Sequence, residues 1–261
     1  MKDAFSYDVI EFSQGSFREG RVAAIQEVPL TIYLNGHEVV TLLCTGKSPK
    51  FLAVGFLKSD GLVTNLKQLK DVQVEEEEER IAVRVVTSHD PLRHQSLERS
   101  ITSGCGKGTS FSRNVETISS TSVTAKLTVT PEQISRLATE LDERSTLYRA
   151  TGGCHNASLA TPERILIFRE DIGRHNAIDM ICGQCFLEDI PTEDKLVVST
   201  GRIASEILLK VMRLGVPILV SRSAATRFSI DLARSTNMTL IGRARQGKMV
   251  IYHHGGRIVG L

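Results

Sequence analysis

The stretch RILIFREDIGRHNAIDMICGQCFLED, from Arg164 to Asp189, decides the fold because its periodicity changes partway along. RILIFRE is a short apolar run of strand length, whereas NAIDMICGQCFLED repeats its apolar residues at helical spacing. The segment between them, REDIGRHNAID, follows the strand directly and opens the helix, whose first N–H groups favour an anion. A strand that leads at once into a helix is the unit from which α/β folds are built.

The same alternation of strand and helix continues to the end of the chain. Residues 195–200, 217–223, 238–244 and 248–254 are apolar runs of strand length, and helical segments separate the first three of them. Apolar strands separated by helices predict a mainly parallel sheet that is covered on both faces. In such a sheet, ligands bind beyond the carboxyl ends of the strands.

Another helix precedes this pattern. Thr130, Pro131 and Gln133 form a capping box with proline at the first helical position. The apolar face that we expect on this helix consists of Ile134, Leu137, Leu141 and Leu147. Together with the strands and helices that follow, it predicts a three-layer α/β/α domain over residues 116–261.

The first hundred residues have a different character and predict a sheet with one helix. Asn35-Gly36 lies between two alternating segments and is a strong signal for a two-residue hairpin turn. A helix is expected from Pro49 to Gly61, and the acidic run Glu75 to Glu79 is expected to be a solvated turn between two strands. We therefore predict a smaller, mainly β, α+β lobe over residues 1–115, ending in a mobile cysteine loop at about residues 100–115.

Composition and charge exclude several classes of protein. The chain has 261 residues, 41% of them hydrophobic and 24% charged, which is typical of a folded globular protein. A net charge of +2 argues against binding nucleic acid through a bulk field, and no apolar run reaches the roughly 20 residues of a membrane helix. The N-terminus lacks the apolar core of a secretory signal. We expect a cytoplasmic protein with neither a nucleic-acid nor a membrane partner.

Basic residues follow several of the predicted strands. Each of three successive strand ends places an arginine beside small hydroxyl or glycine residues, and a basic turn follows the next strand. Since these ends meet at one edge of the sheet, they predict a site for a ligand that carries several phosphates. A glycine pair before the first strand adds backbone N–H groups. The candidate binding residues are Gly152, Gly153, Arg174, His175, Arg202, Arg222, Ser223, Arg243, Ala244, Arg245, Gln246, Gly247 and Lys248.

Cys105 is the candidate reactive residue. It lies between two glycines in the segment SGCGKG and is followed by Lys107. Glycine N–H groups and a nearby ammonium group favour the thiolate, and a loop without periodicity gives the sulfur reach. Five cysteines in a chain of this length argue against a disulfide framework and for reduced thiols. From the residues alone, an ordinary exposed loop cysteine is as good an interpretation.

Two further groups leave alternatives open. Cys182 and Cys185 have metal-ligand spacing, and Cys154-His155 would complete a four-ligand set like that of a zinc-dependent deaminase. The glutamate that moves protons in those enzymes is missing, so we interpret the two cysteines as structural and expect no metal site. His175 has three possible roles: a general base, a hydrogen-bond donor to a phosphate, or a partner of Asp171 or Asp179. The sequence does not choose between them.

With these features, the chain resembles the FdhD family, the sulfurtransferases that formate dehydrogenase requires for activity. The resemblance runs through nearly the whole length and is carried by EVPLTIYLNG, VGFLKSDGLV, SGCGKG, TGGCHNA, REDIGRHNAID, STGRIASE, PILVSRSAAT and LIGRARQGKMVIYHH. It implies a cytidine deaminase-like fold in the second half, without that fold's zinc chemistry or any catalytic metal. It also implies that Cys105 receives a persulfide sulfur from a cysteine desulfurase.

The resemblance implies an acceptor and a binding site as well. The acceptor would be the molybdenum bis(molybdopterin guanine dinucleotide) cofactor, held as a bound substrate and then passed to formate dehydrogenase. Arg243 to Lys248 match the family's cofactor-binding turn, although an aromatic residue is more usual at position 243 and arginine at position 248. The sequence does not determine the oligomeric state, and a homodimer is one of the states that we consider.

The chain departs from the family pattern beside the reactive cysteine. The family usually has Cys-Gly-x-Cys, and Gly108 replaces the second cysteine here. One thiol is enough to carry a persulfide, but a step that needs the second thiol comes into doubt. The alternatives are therefore a cofactor chaperone that has lost transfer chemistry and, ranked last, a zinc hydrolase that uses the four-ligand set.

Overall fold

The structure is a computed structural model that describes residues 4–89, 91, 100–101, 107–108 and 122–261. The helices are α1 (Pro49–Ser59), α2 (Pro131–Arg144), α3 (Thr146–Thr151), α4 (Arg174–Leu187), α5 (Ser205–Arg213) and α6 (Arg227–Ser235), with a short 3-10 helix at Leu66–Gln68. The strands of the first half are β1 (Ala4–Ser13), β2 (Ser16–Ile25), β3 (Val28–Leu34), β4 (His37–Cys44), β5 (Leu69–Glu76), β6 (Ile81–Thr87), β7 (Ser100–Ile101) and β8 (Lys107–Gly108). Those of the second half are β9 (His155–Ala160), β10 (Ile165–Asp171), β11 (Leu196–Ser199), β12 (Ile218–Ser221), β13 (Thr239–Arg245) and β14 (Lys248–His253).

The second half contains a six-stranded sheet in the order β10-β9-β11-β12-β13-β14. Strands β11, β12 and β13 are mutually parallel, whereas β9 pairs antiparallel with both β10 and β11, and β14 pairs antiparallel with β13. The predicted mainly parallel sheet is therefore wrong in detail, since the sheet is mixed. The missing strand was β9, whose sequence HNASLA is too rich in small and polar residues to stand out as a strand.

Helices cover both faces of this sheet. Val197 and Leu219 face one side and pack with α4, α5 and α6, whereas their neighbours Val198 and Val220 face the other side and pack with α2. Alternating side chains thus bury the sheet between two helical layers. The mixed α/β architecture and its three layers agree with the prediction.

The N-terminal part of the chain forms a four-stranded sheet in the order β4-β3-β6-β5, with α1 packed on one face. The hairpin at Asn35-Gly36 is confirmed, and both residues have the positive φ values, 50° and 84°, that such a turn requires. The helix expected from Pro49 is α1, and Gly61 follows its end with φ 77°. Of the acidic run predicted as a turn, Glu77 to Glu79 lie between β5 and β6, whereas Glu75 and Glu76 belong to β5.

Two short ribbons complete the fold. Strands β1 and β2 pair only with each other in the described residues, around a turn at Gln14-Gly15, and this ribbon was not predicted. Strands β7 and β8 pair antiparallel, with Ile101 opposite Lys107. Cys105 lies in the segment between them, outside the described residues, as does the predicted boundary near residue 115. No helix in the described part of the chain is long and apolar enough to cross a membrane.

The two sheets are joined by a close crossing of α1 and α4. A Cβ atom on Gly55 would lie 1.7 Å from the Asp179 carbonyl oxygen, and one on Gly183 would lie 1.9 Å from the Phe51 carbonyl oxygen. Only residues without a side chain allow the two backbones to come so close. Met180 of α4 is fully buried in the core of the N-terminal sheet as a result.

A buried carboxylate reinforces the same junction. Asp171, at the end of β10, accepts hydrogen bonds from the Thr45 backbone N–H at 2.8 Å, the Thr45 hydroxyl at 3.0 Å and the Asn176 side chain at 2.7 Å. The Asn176 amide also donates to the Leu43 carbonyl oxygen at 2.8 Å. Burial raises the pKa of Asp171, and these hydrogen bonds partly offset that rise. The end of β10 is thereby fixed to the loop after β4.

We expect Gly183→Ala to destabilise the protein although alanine is the better helix former. Alanine normally gains about 1 kcal/mol over glycine inside a helix, but here the new methyl group would meet the backbone of α1. Forcing apart a packed interface costs about 1–3 kcal/mol, so we expect a lower thermal midpoint by calorimetry. Gly20→Ala is the matched control, because a Cβ there meets only the end of the Glu11 side chain at 3.0 Å. Equal midpoints for wild type and Gly183→Ala would contradict the tight crossing.

Candidate functional site

The candidate site lies at one edge of the six-stranded sheet. Because β10 and β11 are both antiparallel to β9, they run in the same direction as β12 and β13. The carboxyl ends of these four strands therefore meet at one edge, together with the start of β9, where His155 pairs with Asp171. The basic segments that follow these strands are brought to this edge, as the sequence predicted.

A cavity of about 480 Å³ opens at this edge. It is open to solvent, in contrast to the buried core beneath it. The lining residues come from the helix α3, the start of β9, two strand ends and the hairpin between β13 and β14. They are Tyr148, Gly152, Gly153, Cys154, His155, Thr200, Arg222, Ser223 and Arg245.

Backbone hydrogen bonds tie the loops around the cavity to one another. The Thr200 N–H donates to the Asn156 carbonyl oxygen at 3.0 Å, and the Arg222 N–H donates to the Ser199 carbonyl oxygen at 2.9 Å. The Arg243 N–H donates to the Ser223 carbonyl oxygen at 2.9 Å, which connects the hairpin to the loop after β12. Each loop is held by its neighbour, so the cavity is formed before a ligand arrives.

Arg222 is oriented by a carboxylate from the helical layer. Its Nη1 hydrogen-bonds to Asp142 of α2 in a short ion pair. Its Nε is buried and makes no hydrogen bond within the described residues. The guanidinium group is thus fixed by Asp142 while the side chain stays 28% exposed in the cavity wall, which suits it to a phosphate or carboxylate of a ligand.

The glycine pair and the hairpin complete the wall of the cavity. Gly152 ends α3 with φ 67°, and its N–H donates to the Tyr148 carbonyl oxygen at 2.7 Å. A Cβ on Gly153 would lie 3.2 Å from the Ile25 side chain, so the chain passes close to the end of β2. Across the cavity, Arg245 is exposed on the hairpin and pairs with Lys248 around the turn Gln246-Gly247.

The other residues of the predicted basic turn are near the cavity but do not line it. Arg243, Gln246, Gly247 and Lys248 are exposed on the β13–β14 hairpin. Ala244 is 1% exposed and packs in the core beside α2, so its side chain is not available to a ligand. Successive side chains of β13 point to opposite faces here, so Ala244 is buried between the exposed Arg243 and Arg245.

Arg174, His175 and Arg202 lie behind or beside the cavity instead of in its wall. The Arg174 side chain covers Gly201, where an added Cβ would lie 2.9 Å from the Arg174 Cβ. His175 Nε2 lies 3.2 Å from Glu206 of α5, so its partner is neither Asp171 nor Asp179. Arg202 is exposed. These residues contribute positive charge around the site, and the structure does not place them in contact with the space that a ligand would fill.

His155 is a neutral donor or acceptor in the cavity wall. Burial lowers its pKa below the usual 6.5, and Arg174 and His175 lower it further. Its Nδ1 lies 3.5 Å from the Thr200 hydroxyl oxygen. At neutral pH the ring therefore carries one proton and no charge, so it can form a hydrogen bond with a ligand without adding to the positive charge of the site.

Four cavity residues were not among the predicted binding residues. His155 and Cys154 had been considered only as metal ligands, and Thr200 only as part of a strand end. Tyr148 was missed altogether, because it belongs to α3, which the periodicity had merged with α2. A break at Ser145, whose hydroxyl donates to the Leu141 carbonyl oxygen at 2.7 Å, separates the two helices. Serine in this position was the available signal.

The cysteines of the described residues are unsuited to nucleophilic chemistry. Burial raises the pKa of Cys154 to about 12, with the carboxylates of Glu170 and Asp171 adding to the shift. Burial likewise raises the pKa of each of the other three, Cys44, Cys182 and Cys185, to about 12. Such thiols are protonated at neutral pH and react slowly.

The proposed set of four zinc ligands is not assembled in the structure. Cys154 and His155 line the cavity at the sheet edge, whereas Cys182 and Cys185 line a second cavity, of about 350 Å³, beside α1, α4 and α5. Among the residues that the structure describes, no cluster of three or more potential metal ligands is present. The geometry therefore does not support the zinc hydrolase alternative, and it supports the interpretation of Cys182 and Cys185 as core residues.

We expect His155 to titrate below pH 6.5 in the folded protein, and Arg174→Gln to raise its pKa. Removing the guanidinium group removes one cause of the shift, but burial is the larger cause, so the midpoint should stay below the usual value. NMR titration of the imidazole signals, with His155→Asn used to assign the resonance, measures both effects. Arg164→Gln, an exposed change at the start of β10 on the opposite edge, should leave the midpoint unchanged. A midpoint at or above 6.5 in wild type would contradict the buried position.

Comparisons with known proteins agree on the relationship of this chain. The model of the FdhD/NarQ family matches residues 25–259. The "Sulfur carrier protein FdhD" of Bacillus subtilis (strain 168) is 37% identical over 251 residues, which cover 96% of each chain. The protein of the same name from Halalkalibacterium halodurans is 41% identical over 244 residues, or 93% of this chain and 90% of the relative.

A solved structure shares the fold. It is described as a candidate formate dehydrogenase accessory protein from Desulfotalea psychrophila, and it matches with a TM-score of 0.81 over 99% of this chain and 100% of that chain. At 21% sequence identity this likeness concerns the fold alone. The sequence relatives and the family match extend over nearly the whole length of the chain, and the chain therefore belongs to the FdhD/NarQ family.

Proposed function

We propose that this protein is a sulfur carrier that formate dehydrogenase requires for activity. The observation that carries the proposal is a preformed cavity, lined by a glycine pair, Arg222 and Arg245, in a chain whose sequence contains one glycine-flanked cysteine, Cys105. Relatives at 35–41% identity that carry the name sulfur carrier protein support it. The protein would act in the cytoplasm, where thiols stay reduced.

In the first step, Cys105 accepts sulfur from a cysteine desulfurase. The Cys105 thiolate attacks the terminal sulfur of the desulfurase persulfide, and the S–S bond of the donor breaks as the desulfurase cysteine leaves as a thiolate. The product is a persulfide on Cys105, and no external oxidant or reductant is needed. The raised pKa values of the four described cysteines support Cys105 as the residue that reacts.

In the second step, the sulfur passes to a molybdenum bis(molybdopterin guanine dinucleotide) cofactor held in the cavity as substrate. Release of the sulfur as sulfide requires two electrons, which a thiol supplies when it attacks the Cys105 sulfur and forms a disulfide with it. Gly108 occupies the place of the second family cysteine, so this thiol comes from outside the chain. We also propose that the second half of the chain has a cytidine deaminase-like fold, without the zinc chemistry of those enzymes.

The cavity suits such a ligand through charge and shape. The guanidinium groups of Arg222 and Arg245 in the cavity wall suit phosphate oxygens, and the glycine pair lets a ligand approach the backbone closely. Arg174, Arg202, Arg243 and Lys248 add positive charge around the rim and would attract the anionic cofactor. His155 adds a neutral hydrogen-bonding group.

Incubation with a cysteine desulfurase and cysteine should add one sulfur atom to the protein. Mass spectrometry under non-reducing conditions is expected to find the added sulfur on wild type and on Cys154→Ala, but not on Cys105→Ala. Cys154→Ala is the matched control, since this thiol lies in the cavity but is protonated. No added sulfur on wild type, or the same amount on Cys105→Ala, would remove the proposed chemistry.

The second candidate function is a cofactor chaperone without transfer chemistry, which the loss of the second loop cysteine favours. The two functions differ in cells that depend on this protein for formate dehydrogenase activity. A sulfur carrier requires both Cys105 and Arg245, so either alanine variant should lose at least about 10-fold in activity, as expected when one essential charge or nucleophile is removed. Full activity with Cys105→Ala and low activity with Arg245→Ala would favour the chaperone.

A further inference from the structure

Tyr148 is the only phenylalanine, tyrosine or tryptophan that lines the 480 Å³ cavity in the part of the chain that the structure describes. Its side chain is 46% exposed, and its hydroxyl group makes no hydrogen bond to another described residue. All the other lining groups are glycine backbone, hydroxyl, thiol, imidazole or guanidinium groups. One open aromatic ring in a wall of phosphate-binding groups requires an explanation of its own.

The ring is held in place by an unusually well-anchored short helix. Ser145, just before α3, hydrogen-bonds to Leu141 and to the Asn156 side chain, which fixes the start of α3 to α2 and β9. Arg149 Nη1 donates to the Asp142 and Glu143 carbonyl oxygens at 2.9 and 2.7 Å. Leu147 is buried. Tyr148 therefore projects from a fixed backbone, and a ligand that contacts its ring loses little freedom to loop motion.

The position of the ring relative to the phosphate-binding groups is also fixed. Gly152, which begins the glycine pair, donates its N–H to the Tyr148 carbonyl oxygen at 2.7 Å. Tyr148 and the glycine pair are thus separated by one helical turn, about 5.4 Å along the axis. A ligand with phosphates on the glycine pair and a flat ring nearby can contact both.

We propose that Tyr148 is the stacking platform for the base of a nucleotide whose phosphates lie against the glycine pair, Arg222 and Arg245. This inference rests on the proposed function and assigns the base of the dinucleotide-bearing substrate to a residue. A tyrosine ring stacks on any base because every base has a π face. Tyr148 therefore supplies affinity for a nucleotide without selecting guanine over adenine.

Other exposed aromatic residues do not share this arrangement. Phe12 and Phe17 are more exposed than Tyr148, but they contact each other on the β1–β2 ribbon at a centroid distance of 5.0 Å. Tyr7 is 56% exposed on the same ribbon. None of the three lines the cavity. Tyr7 is therefore a suitable control for the loss of one exposed tyrosine ring.

The test compares GDP, ADP and inorganic pyrophosphate as probes of the full-length protein by isothermal titration calorimetry. Tyr148→Ala is expected to weaken GDP and ADP about 10-fold or more, the effect of removing one base–aromatic stack, and to leave pyrophosphate unchanged. Tyr148→Phe, which keeps the ring, and Tyr7→Ala should bind all three probes as wild type does. Arg245→Ala should weaken all three alike.

Tyrosine fluorescence provides a second readout. The chain has no tryptophan and four tyrosines, so the stacking of a base on Tyr148 should quench a measurable share of the tyrosine emission, and Tyr148→Phe should abolish this quenching. An equal loss of affinity for nucleotides and pyrophosphate in Tyr148→Ala, or no loss at all, would overturn the stacking role while leaving the phosphate site intact. Failure of wild type to bind any probe would overturn this inference together with the proposed cofactor site.

Discussion

The close crossing of α1 and α4 is the constraint on which the rest of the structure depends. Gly55 and Gly183 let two helix backbones touch, and this contact places Met180 in the core of one sheet while Ile178 and Ile181 remain in the core of the other. One helix thus serves two hydrophobic cores. Since α4 begins directly after β10, its position also fixes the edge of the sheet where the cavity opens. Packing far from the cavity therefore decides where the cavity residues lie.

Positive charge at the sheet edge is stabilised by partners that stand behind it. Asp142 of α2 binds Arg222, and Glu206 of α5 lies beside His175. In both cases the carboxylate comes from a helical layer, and the Arg222 guanidinium group lies in the cavity wall. The arrangement lowers the cost of gathering several cations around one cavity, which would otherwise repel one another. Burial lowers the pKa of His155, and Arg174 and His175 lower it further, so this imidazole adds no charge to the cavity at neutral pH.

The sequence predicted most of the elements and the edge at which the ligand residues meet, because apolar strands followed by basic, glycine-rich segments have a clear pattern. It missed β9, whose inward residues Ala157 and Ser158 carry little hydrophobic signal, although they are fully buried. Because β9 pairs antiparallel with both of its neighbours, missing it led to the prediction of a mainly parallel sheet where the structure has a mixed one. The same omission also hid the fact that Cys154 and His155 stand at the start of a strand and so face the cavity.

Of the predicted site residues, Gly152, Gly153, Arg222, Ser223 and Arg245 line the cavity. The others could not be sorted from sequence for physical reasons. Whether a residue of the basic turn can line a cavity depends on the face of the strand to which it points: Ala244 points inward and Arg245 outward. Whether a basic side chain packs on a neighbouring segment depends on tertiary contacts that the sequence does not show. Arg174, for example, covers Gly201, where no side chain fills the space. Cys105, outside the described residues, remains a prediction.

The distribution of the thiols links the fold to the proposed chemistry. A cysteine in the core of this fold is desolvated, which disfavours the thiolate that sulfur transfer requires. Carboxylates near the junction of the two sheets strengthen this effect at Cys154. A thiol that acts as a nucleophile is therefore not expected within this core, which is the reason for proposing Cys105. Strands β7 and β8, which pair with each other, lie on either side of Cys105 in the chain. Under the proposed function, Gly108 supplies no second thiol beside Cys105, so release of the persulfide sulfur would require a thiol from elsewhere.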